Sequence, residues 1–388
     1  MTNRNHGKYF PGYFIGAKCF LFPVLAAFLI ACRENPGQSR QVVFFDSAAS
    51  PQEFFPRAEP EAVGIERAAL AALVAEAQNT HSNALIVIKD GHVIAERYFG
   101  NVPKQPLRIN SVTKSIVSLA IGQLIEDGKT PAVNTPLSTW FPEWTAGKKE
   151  KITLRHILIH TSGLSHQESA ANLYRQPDVV GYARGLPVVD EPGKHFSYSN
   201  EAVALIPGIV LAASGKPLDI YLRERLFKPM GISDYKWDRD AAGNVLAFGG
   251  LWLLPRDLAR IGKLMLDSGS WEGKQLIPAA WVRACTSPAR ADIPEYGLLW
   301  RLYPGGKDAT AAAAGFGGDG WLGQHLVVYP KWHLVVVRLH AIEAGNDEEE
   351  NQKYGFNSLH QLALALVEKD SKPPDDKSAL SKFKVEVH

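Results

Sequence analysis

The sequence predicts an α+β fold, in which one antiparallel sheet is built from strands near both ends of the chain. Two β-rich runs in residues 84–100 are separated by Asp90-Gly91, a pair that favours a hairpin turn. Two more β-rich runs lie in residues 322–340, whereas residues from about 115 to 310 are mostly helical by pattern. We therefore expect helices to flank the sheet and a mostly helical lobe to lie beside it, with a cleft between them.

The N-terminal segment is predicted to direct export of the chain. Arg4, Lys8 and Lys18 precede an apolar run at residues 19–31, which is too short to span a bilayer and fits the core of a signal peptide. The run ends at Cys32, as in a bacterial lipoprotein signal, in which the cysteine is acylated. In the alternative interpretation, the segment is a plain secretory signal and Cys32 is incidental. We expect the lipoprotein, because the apolar run stops at this cysteine. Arginine rather than aspartate follows the cysteine, so no inner-membrane retention signal is present and the domain is expected to face the periplasm from the outer membrane.

Composition divides the chain into four segments and excludes one class of partner. We assign a signal peptide, a tether, a main domain and a charged tail predicted to be disordered to residues 1–31, 32–60, 61–369 and 370–388. The net charge is +2, from 42 basic and 40 acidic residues. The sequence therefore lacks the excess of positive charge that is typical of nucleic-acid-binding proteins. Cys285 would be the one thiol of the mature domain, so core packing rather than disulfides must hold it together.

Apolar residues at helical spacing indicate the remaining elements of the main domain. The predicted helices lie in residues 64–80, 108–129, 152–164, 201–215, 255–269 and 357–369. The helix in 108–129 is apolar on nearly every face, which is typical of a helix buried in the centre of a domain. Chemistry-bearing residues at its start would therefore lie in surroundings that exclude water.

Ser111 and Lys114 stand three residues apart at the start of this buried helix. Positions i and i+3 share one helix face, so the hydroxyl and the amine can meet. Burial would lower the pKa of the lysine and leave part of it as a neutral base, which can activate the serine as a nucleophile. In the structural alternative, Ser111 caps the helix and Lys114 extends to solvent.

Tyr198 and Asn200 form a second motif, Tyr-x-Asn, in residues 191–200. A tyrosine oxygen beside a Ser/Lys pair can carry a proton between nucleophile and leaving group, and an asparagine amide can donate to a substrate carbonyl. In the structural alternative the segment is a turn, with Asn200 capping the helix that begins at Glu201. The two roles of Asn200 are compatible.

A third motif is the glycine-rich stretch of residues 311–330, which contains five glycines just ahead of and within the start of a strand. Glycines at such a place let a ligand approach the backbone and let N–H groups point at an oxyanion. In the structural alternative, the stretch is a flexible loop that leads into an edge strand.

The three motifs, in this order, resemble those of the serine β-lactamase and penicillin-binding-protein superfamily. The likeness is greatest to its class C branch, which includes esterases and 6-aminohexanoate-dimer hydrolases, and it covers roughly residues 60–368. The resemblance implies a nucleophile at Ser111, and general base and acid roles shared by Lys114 and Tyr198. Which of these two takes the serine proton stays open.

The same resemblance assigns residues to the substrate and to the oxyanion. Asn200 would support the acyl group and Lys114, and the N–H of Ser111 would form one half of the oxyanion hole. Counting back from Pro330 makes Gly318 the expected second donor, with Gly317 next to it. Here the chain departs from the family, because Gly315 and its neighbours supply no Lys, His or Thr side chain where the family holds a cation for a substrate carboxylate.

The sequence therefore predicts a serine hydrolase that acts through an acyl-enzyme on an ester or amide bond of a small, uncharged acyl substrate. One alternative is a β-lactamase or D,D-peptidase, and another is a non-catalytic envelope module that binds a ligand with the same fold. No metal or cofactor is required. His156 and His160 have a spacing that can bind zinc, but no third ligand is evident, and we interpret both as structural. The oligomeric state stays open.

Overall fold

The computed structural model describes residues 42–44, 54–100, 105–167, 169–304, 313–341, 354–356 and 358–368. All of them belong to one compact unit. The predicted signal peptide with Cys32, most of the tether and the charged tail lie outside the described residues. Among the described residues no single helix is long and apolar enough to cross a membrane, although one bent pair, Asn200–Ser214 with Leu218–Phe227, passes by length and composition.

Twelve strands and ten α-helices make up the described part of the chain. The strands are β1 Val42–Phe44, β2 Ala84–Lys89, β3 His92–Tyr98, β4 Leu107–Arg108, β5 Tyr235–Asp238, β6 Leu251–Leu253, β7 Ser270–Trp271, β8 Lys274–Gln275, β9 Arg301–Pro304, β10 Ala313–Gly320, β11 Gln324–Tyr329 and β12 Leu334–Leu339. The helices are α1 Arg67–Asn79, α2 Val112–Glu126, α3 Leu154–Leu158, α4 Val179–Gly185, α5 Asn200–Val203, α6 Ile206–Ser214, α7 Leu218–Leu222, α8 Pro255–Leu266, α9 Ala279–Cys285 and α10 Leu359–Ala365. Short 3₁₀ turns connect several of them.

The main sheet joins both ends of the domain, as the sequence predicts. Its six strands run in the order β3-β2-β12-β11-β10-β9, and every neighbouring pair is antiparallel. β12 pairs with β2 along its whole length, from Leu334 opposite Lys89 to Leu339 opposite Ala84. The predicted hairpin forms at Asp90, and the α+β fold class is confirmed.

Helices cover both faces of this sheet. Side chains alternate between the faces along each strand, so each face contributes apolar residues to a core of its own. On β11, Leu326 and Val328 point into the larger core, which they share with α2 and α8. Val327 and Tyr329 point to the other side, into a second core formed with α1 and α10. The glycine-rich strand β10 lies next to β11 and thus beside the buried helix α2.

The middle of the chain is less helical than the sequence predicts. It contributes β5 and β6 to a second sheet of four strands, in the order β1-β5-β6-β4. The predicted helix in residues 201–215 is divided into α5 and α6. Pro207 stands at the start of α6, and a proline ring clashes with the carbonyl four residues earlier, which prevents one continuous helix through Val203.

Candidate active site

Helix α2 begins directly after Ser111, which lies at the junction between the second sheet and the domain centre. β4 pairs with β6, and the Ile109 N–H donates to the Leu251 carbonyl (3.0 Å), so the chain is fixed just ahead of the helix. Every residue from Val112 to Leu124 is buried, as the nearly all-round apolar sequence requires. The strand pairing therefore fixes Ser111 at the entrance of a helix that water does not reach.

Ser111 and Lys114 contact each other, as their spacing predicts. The Lys114 Nζ lies 2.8 Å from the Ser111 Oγ and donates to the Phe248 carbonyl at 2.6 Å. The Lys114 residue is 1% exposed, and this burial lowers its pKa, while the Tyr198 oxygen and the Glu201 carboxylate act in the opposite direction. Lys114 does not extend to solvent, so the structural alternative for this residue is wrong.

Tyr198 also lies beside the lysine. The Lys114 Nζ is 4.9 Å from the centre of the Tyr198 ring, and the tyrosine oxygen favours the charged form of the lysine. The His160 ring packs against Tyr198, with 4.4 Å between ring centres. Serine, lysine and tyrosine are thus in one cluster, although Tyr198 comes from a distant part of the chain.

Asn200 is the first residue of α5, and it does not cap the helix. The residue before it, Ser199, is the N-cap, and its Oγ accepts from the Ala202 N–H at 3.0 Å. Serine and asparagine are about equally good caps, so the sequence could not decide between neighbours. The amide of Asn200 is therefore not needed to cap the start of α5. Asn200 is half-buried in the segment that carries Tyr198.

Gly318, the predicted second oxyanion donor, lies against the first turn of α2. A Cβ atom on Gly318 would lie 2.9 Å from the Ser115 Oγ and 3.0 Å from the Val112 Cγ1. Gly317 belongs to the opposite face of β10, where a Cβ atom would lie 1.9 Å from the Leu326 carbonyl oxygen. Of the two glycines, Gly318 is the one that faces the first turn of α2.

One charged residue near the site was not foreseen from the sequence. Arg301 on β9 stands opposite Gly317 on β10, and its Nε lies 3.6 Å from the Asp319 carboxylate. Its guanidinium carbon is 5.8 Å from the centre of the Tyr296 ring. The sequence shows this arginine directly after Trp300, but it does not reveal which strand β9 pairs with, and that pairing brings the charge to the site.

Phe316, an aromatic residue of the third motif, packs in the core. Phe316 is buried and contacts Trp300 edge to face, with ring centres 5.7 Å apart. Gly315, Phe316 and Gly317 carry no cationic side chain. The Asp319 carboxylate, which accepts from Tyr303 and contacts His325 (2.8 Å each), offsets the charge of Arg301.

The two histidines of the possible zinc pair have other partners. Nδ1 of His160 accepts from the Ser199 N–H at 3.1 Å, and Nε2 of His160 lies 3.0 Å from the Tyr296 hydroxyl. Nδ1 of His156 accepts from the Thr153 N–H at 3.2 Å within the cap of α3. In the described part of the chain no group of His, Cys, Asp and Glu side chains has the arrangement of a metal site.

The sequence is similar to a known protein family and to several of its members. The family model described as Beta-lactamase matches residues 67–356. Esterase EstB from Burkholderia gladioli is 28% identical over 174 residues, which are 38% of this chain and 43% of the esterase. The chain thus spans less than half the length of this relative. The 6-aminohexanoate-dimer hydrolase of Paenarthrobacter ureafaciens is 23% identical over 297 residues, covering 68% of this chain and 73% of that enzyme.

A solved structure supports the fold. The penicillin-binding protein from Bacillus halodurans superimposes with a TM-score of 0.58 at 17% identity, covering 72% of this chain and 97% of that one. At this identity the likeness concerns the fold alone. The helix with Ser111 and Lys114, the strand with Gly318 and the segment with Tyr198 all lie within the residues that the family model matches.

Proposed function

Since the chain belongs to the beta-lactamase family, we propose that this serine hydrolase cleaves an ester or amide bond of a small, uncharged acyl substrate. One observation carries the proposal, namely the buried contact of 2.8 Å between the Lys114 Nζ and the Ser111 Oγ. A serine hydroxyl is a weak nucleophile at its ordinary pKa and needs an adjacent base. A lysine without access to water can supply that base.

The reaction takes place in two steps. In the first step the Ser111 oxygen attacks the substrate carbonyl while its proton passes to Lys114 or Tyr198, and the N–H groups of Ser111 and Gly318 stabilise the oxyanion. Collapse of this intermediate expels the leaving group, which takes a proton from Tyr198, and leaves the acyl group on the serine. In the second step water attacks the ester and releases the acid.

An uncharged acyl group agrees with the character of the third motif. Gly315 and Phe316 offer no cation, and the Asp319 carboxylate offsets the positive charge of Arg301 on the neighbouring strand. A negatively charged acyl group would lose its hydration without a dedicated partner, which is costly in a partly buried site. Esterase EstB, which matches part of the chain, is consistent with ester substrates.

We also propose that the enzyme works in the cell envelope. The apolar run that ends at Cys32 supports export, followed by acylation of this cysteine and anchoring in the outer membrane with the domain in the periplasm. A small substrate would then reach the site from the periplasm. Metabolic labelling with a fatty-acid probe, compared between the full chain and Cys32→Ser, tests the anchor.

The function is tested with the full-length chain in detergent, a nitrophenyl butyrate ester, a chromogenic cephalosporin and the Ser111→Ala variant. We expect ester turnover that falls by about 10³-fold or more in the variant, and little turnover of the cephalosporin. Equal ester turnover in both proteins would refute the mechanism. Fast cephalosporin turnover would favour the β-lactamase alternative, with Arg301 as the group that binds the carboxylate. Labelling of the serine without release of product would favour the binding module.

A further inference from the structure

The segment that carries Tyr198 is held by one short stretch of the chain, at the end of α3. The Gly193 N–H donates to the Thr161 carbonyl and the Ser197 N–H donates to the His160 carbonyl, each at 2.8 Å. The Ser199 N–H continues the series but donates to the Nδ1 of the His160 ring, at 3.1 Å. The backbone N–H groups on both sides of Tyr198 therefore donate to His160.

These contacts define the protonation state of His160. Because Nδ1 accepts from the Ser199 N–H, the proton of the neutral ring lies on Nε2, which donates to the Tyr296 hydroxyl at 3.0 Å. The ring is buried, and this burial, together with the positive charges of Lys114 and Arg301, holds the pKa of His160 well below its usual range. A protonated ring would turn an N–H towards the Ser199 N–H and break that contact.

The same imidazole ring packs against the ring of Tyr198. Its centre is 4.4 Å from the centre of the Tyr198 ring, and the planes are tilted by 34°. The Lys114 Nζ lies 4.9 Å from the centre of the same Tyr198 ring. Tyr198 thus lies next to both the imidazole and the catalytic amine, so a movement of the imidazole changes the position of the tyrosine oxygen relative to the serine.

We propose that His160 is a positioning residue for the reaction, which holds Tyr198 against Lys114 as a neutral imidazole whose tautomer Tyr296 fixes. This inference rests on the proposed function, because it gives Tyr198 a role in proton transfer. The charged and titratable groups that face the imidazole come from several elements, and they are Lys114 on α2, Arg301 on β9, His166, Tyr198 and Tyr296. His156, one turn earlier, contacts neither Tyr198 nor Tyr296 by any described hydrogen bond or ring contact.

The test uses variants of His160 that keep or remove one hydrogen bond. In His160→Asn the amide oxygen can replace Nδ1 as the acceptor for Ser199, whereas His160→Leu removes both partners. We expect kcat for the ester to fall about tenfold in the first and about 100-fold in the second, with KM changed less than threefold, since acid–base catalysis contributes about 10²–10⁴-fold and misplacing Tyr198 removes part of it. His156→Asn is the matched control and keeps wild-type kcat.

A double-mutant cycle separates positioning from a general loss of structure. Tyr296→Phe removes only the hydroxyl that fixes the His160 tautomer, and we expect it to lower kcat about tenfold. In a Tyr198→Phe background, the same change should have no further effect, because the group it positions is already absent. If Tyr296→Phe lowers kcat by the same factor in both backgrounds, the inference is wrong.

A spectroscopic readout keeps the inference separate from the proposed function. In ¹⁵N-histidine spectra of the wild type and of Ser111→Ala, His160 should give the signal of a neutral ring protonated on Nε2 between pH 5 and 8. Absence of this signal would overturn the inference even if the enzyme is active. Presence of the signal together with unchanged kcat in His160→Leu would also overturn it. Failure of ester turnover in the wild type, with the signal present, would count against the proposed function alone.

Discussion

Lys114 shows how burial alone changes the chemistry of a side chain. In water an amine with a pKa of about 10.4 is almost wholly charged at neutral pH and cannot accept a proton. Here the residue is 1% exposed, and the Ser111 oxygen and the Phe248 carbonyl are its nearest hydrogen-bond partners. Neither partner is an anion, and burial outweighs the opposing effects of the Tyr198 oxygen and the Glu201 carboxylate.

The pH dependence of the reaction follows from this surrounding. Burial lowers the pKa of Lys114, and the Glu201 carboxylate partly opposes the shift. We expect kcat/KM to rise with pH as Lys114 loses its proton and then to level off. Glu201→Gln removes a negative charge, so it should lower the pKa of Lys114 further and move the acidic limb of the profile to lower pH. The profile is measured between pH 5 and 9.5 with the neutral ester.

An arginine variant is the control for this prediction. Arg keeps its charge throughout the range, so Lys114→Arg should lose activity by about 10³-fold at every pH. A shift of the acidic limb to higher pH in Glu201→Gln would contradict the assignment of Lys114 as the group that titrates.

At the scale of elements, the site depends on how closely β10 approaches α2. The strand lies so near the helix that a Cβ atom on Gly318 would be 2.9 Å from the Ser115 Oγ, which itself donates to the Leu299 carbonyl and cannot easily move. Backbone N–H groups of a strand and of a helix start can face one oxyanion only where the two elements approach closely. The glycine is therefore a geometric requirement of the site.

Gly318→Ala is expected to lower kcat by about 10–100-fold, because the methyl group pushes the strand away from the first turn of α2 and one oxyanion donor is misplaced. Thermal unfolding and single-turnover acylation are measured together, so that a loss of folding is recognised. Gly185→Ala is the matched control, since a Cβ atom there meets nothing within 4 Å. Equal kcat in both variants would argue against Gly318 as a donor.

Local signals allowed some elements to be predicted and left others out. The Asp90-Gly91 turn and the apolar surface of α2 are encoded in neighbouring residues, so hairpin and helix were foreseen. Strands β4 and β6 have two and three residues, and long-range pairing alone stabilises them. A pattern of period two cannot be recognised in so few positions, which is why the second sheet was missed.

The same division holds for the site. Ser111 and Lys114 contact each other through helix geometry, and spacing alone predicts that contact. Arg301, and the contact of His160 with Tyr296, depend on which strands pair and where a loop packs. His160 and Tyr296 are more than a hundred positions apart, and Arg301 reaches the site only because β9 pairs with β10. No local pattern in the sequence could indicate either contact.

At the scale of the whole molecule, three distant parts of the chain meet at Glu96. Its carboxylate on β3 accepts from the Arg256 Nε and Nη2 at the start of α8, both at 2.7 Å, and from Arg57 in the segment before α1. The Tyr98 hydroxyl donates to the same carboxylate at 3.1 Å. The Glu96 side chain is 3% exposed. The ion pair between Glu96 and Arg256 therefore joins the edge strand β3 of the main sheet to α8, a helix of the larger core.

The cluster predicts how stability depends on pH. Hydrogen bonds from Arg256 lower the pKa of Glu96 from 4.5 to about 2, although burial acts in the opposite direction. Since the folded state has the lower pKa, the stabilisation is complete above the unfolded value of 4.5 and is lost as the pH falls towards 2. Glu96→Gln should therefore lower the free energy of unfolding by about 3 kcal/mol at pH 7, and this difference from wild type should shrink towards zero near pH 2.

Glu61→Gln serves as the control, because Glu61 forms an exposed ion pair with Arg67 at 2.8 Å, and exposed pairs contribute little. Denaturant unfolding of the three proteins is compared at pH 7, 4 and 2.5. A loss in Glu96→Gln that stays constant down to pH 2.5 would mean that packing, not charge, holds this corner. A loss that disappears in acid would show that the charge on Glu96 joins the N-terminal edge of the main sheet to α8.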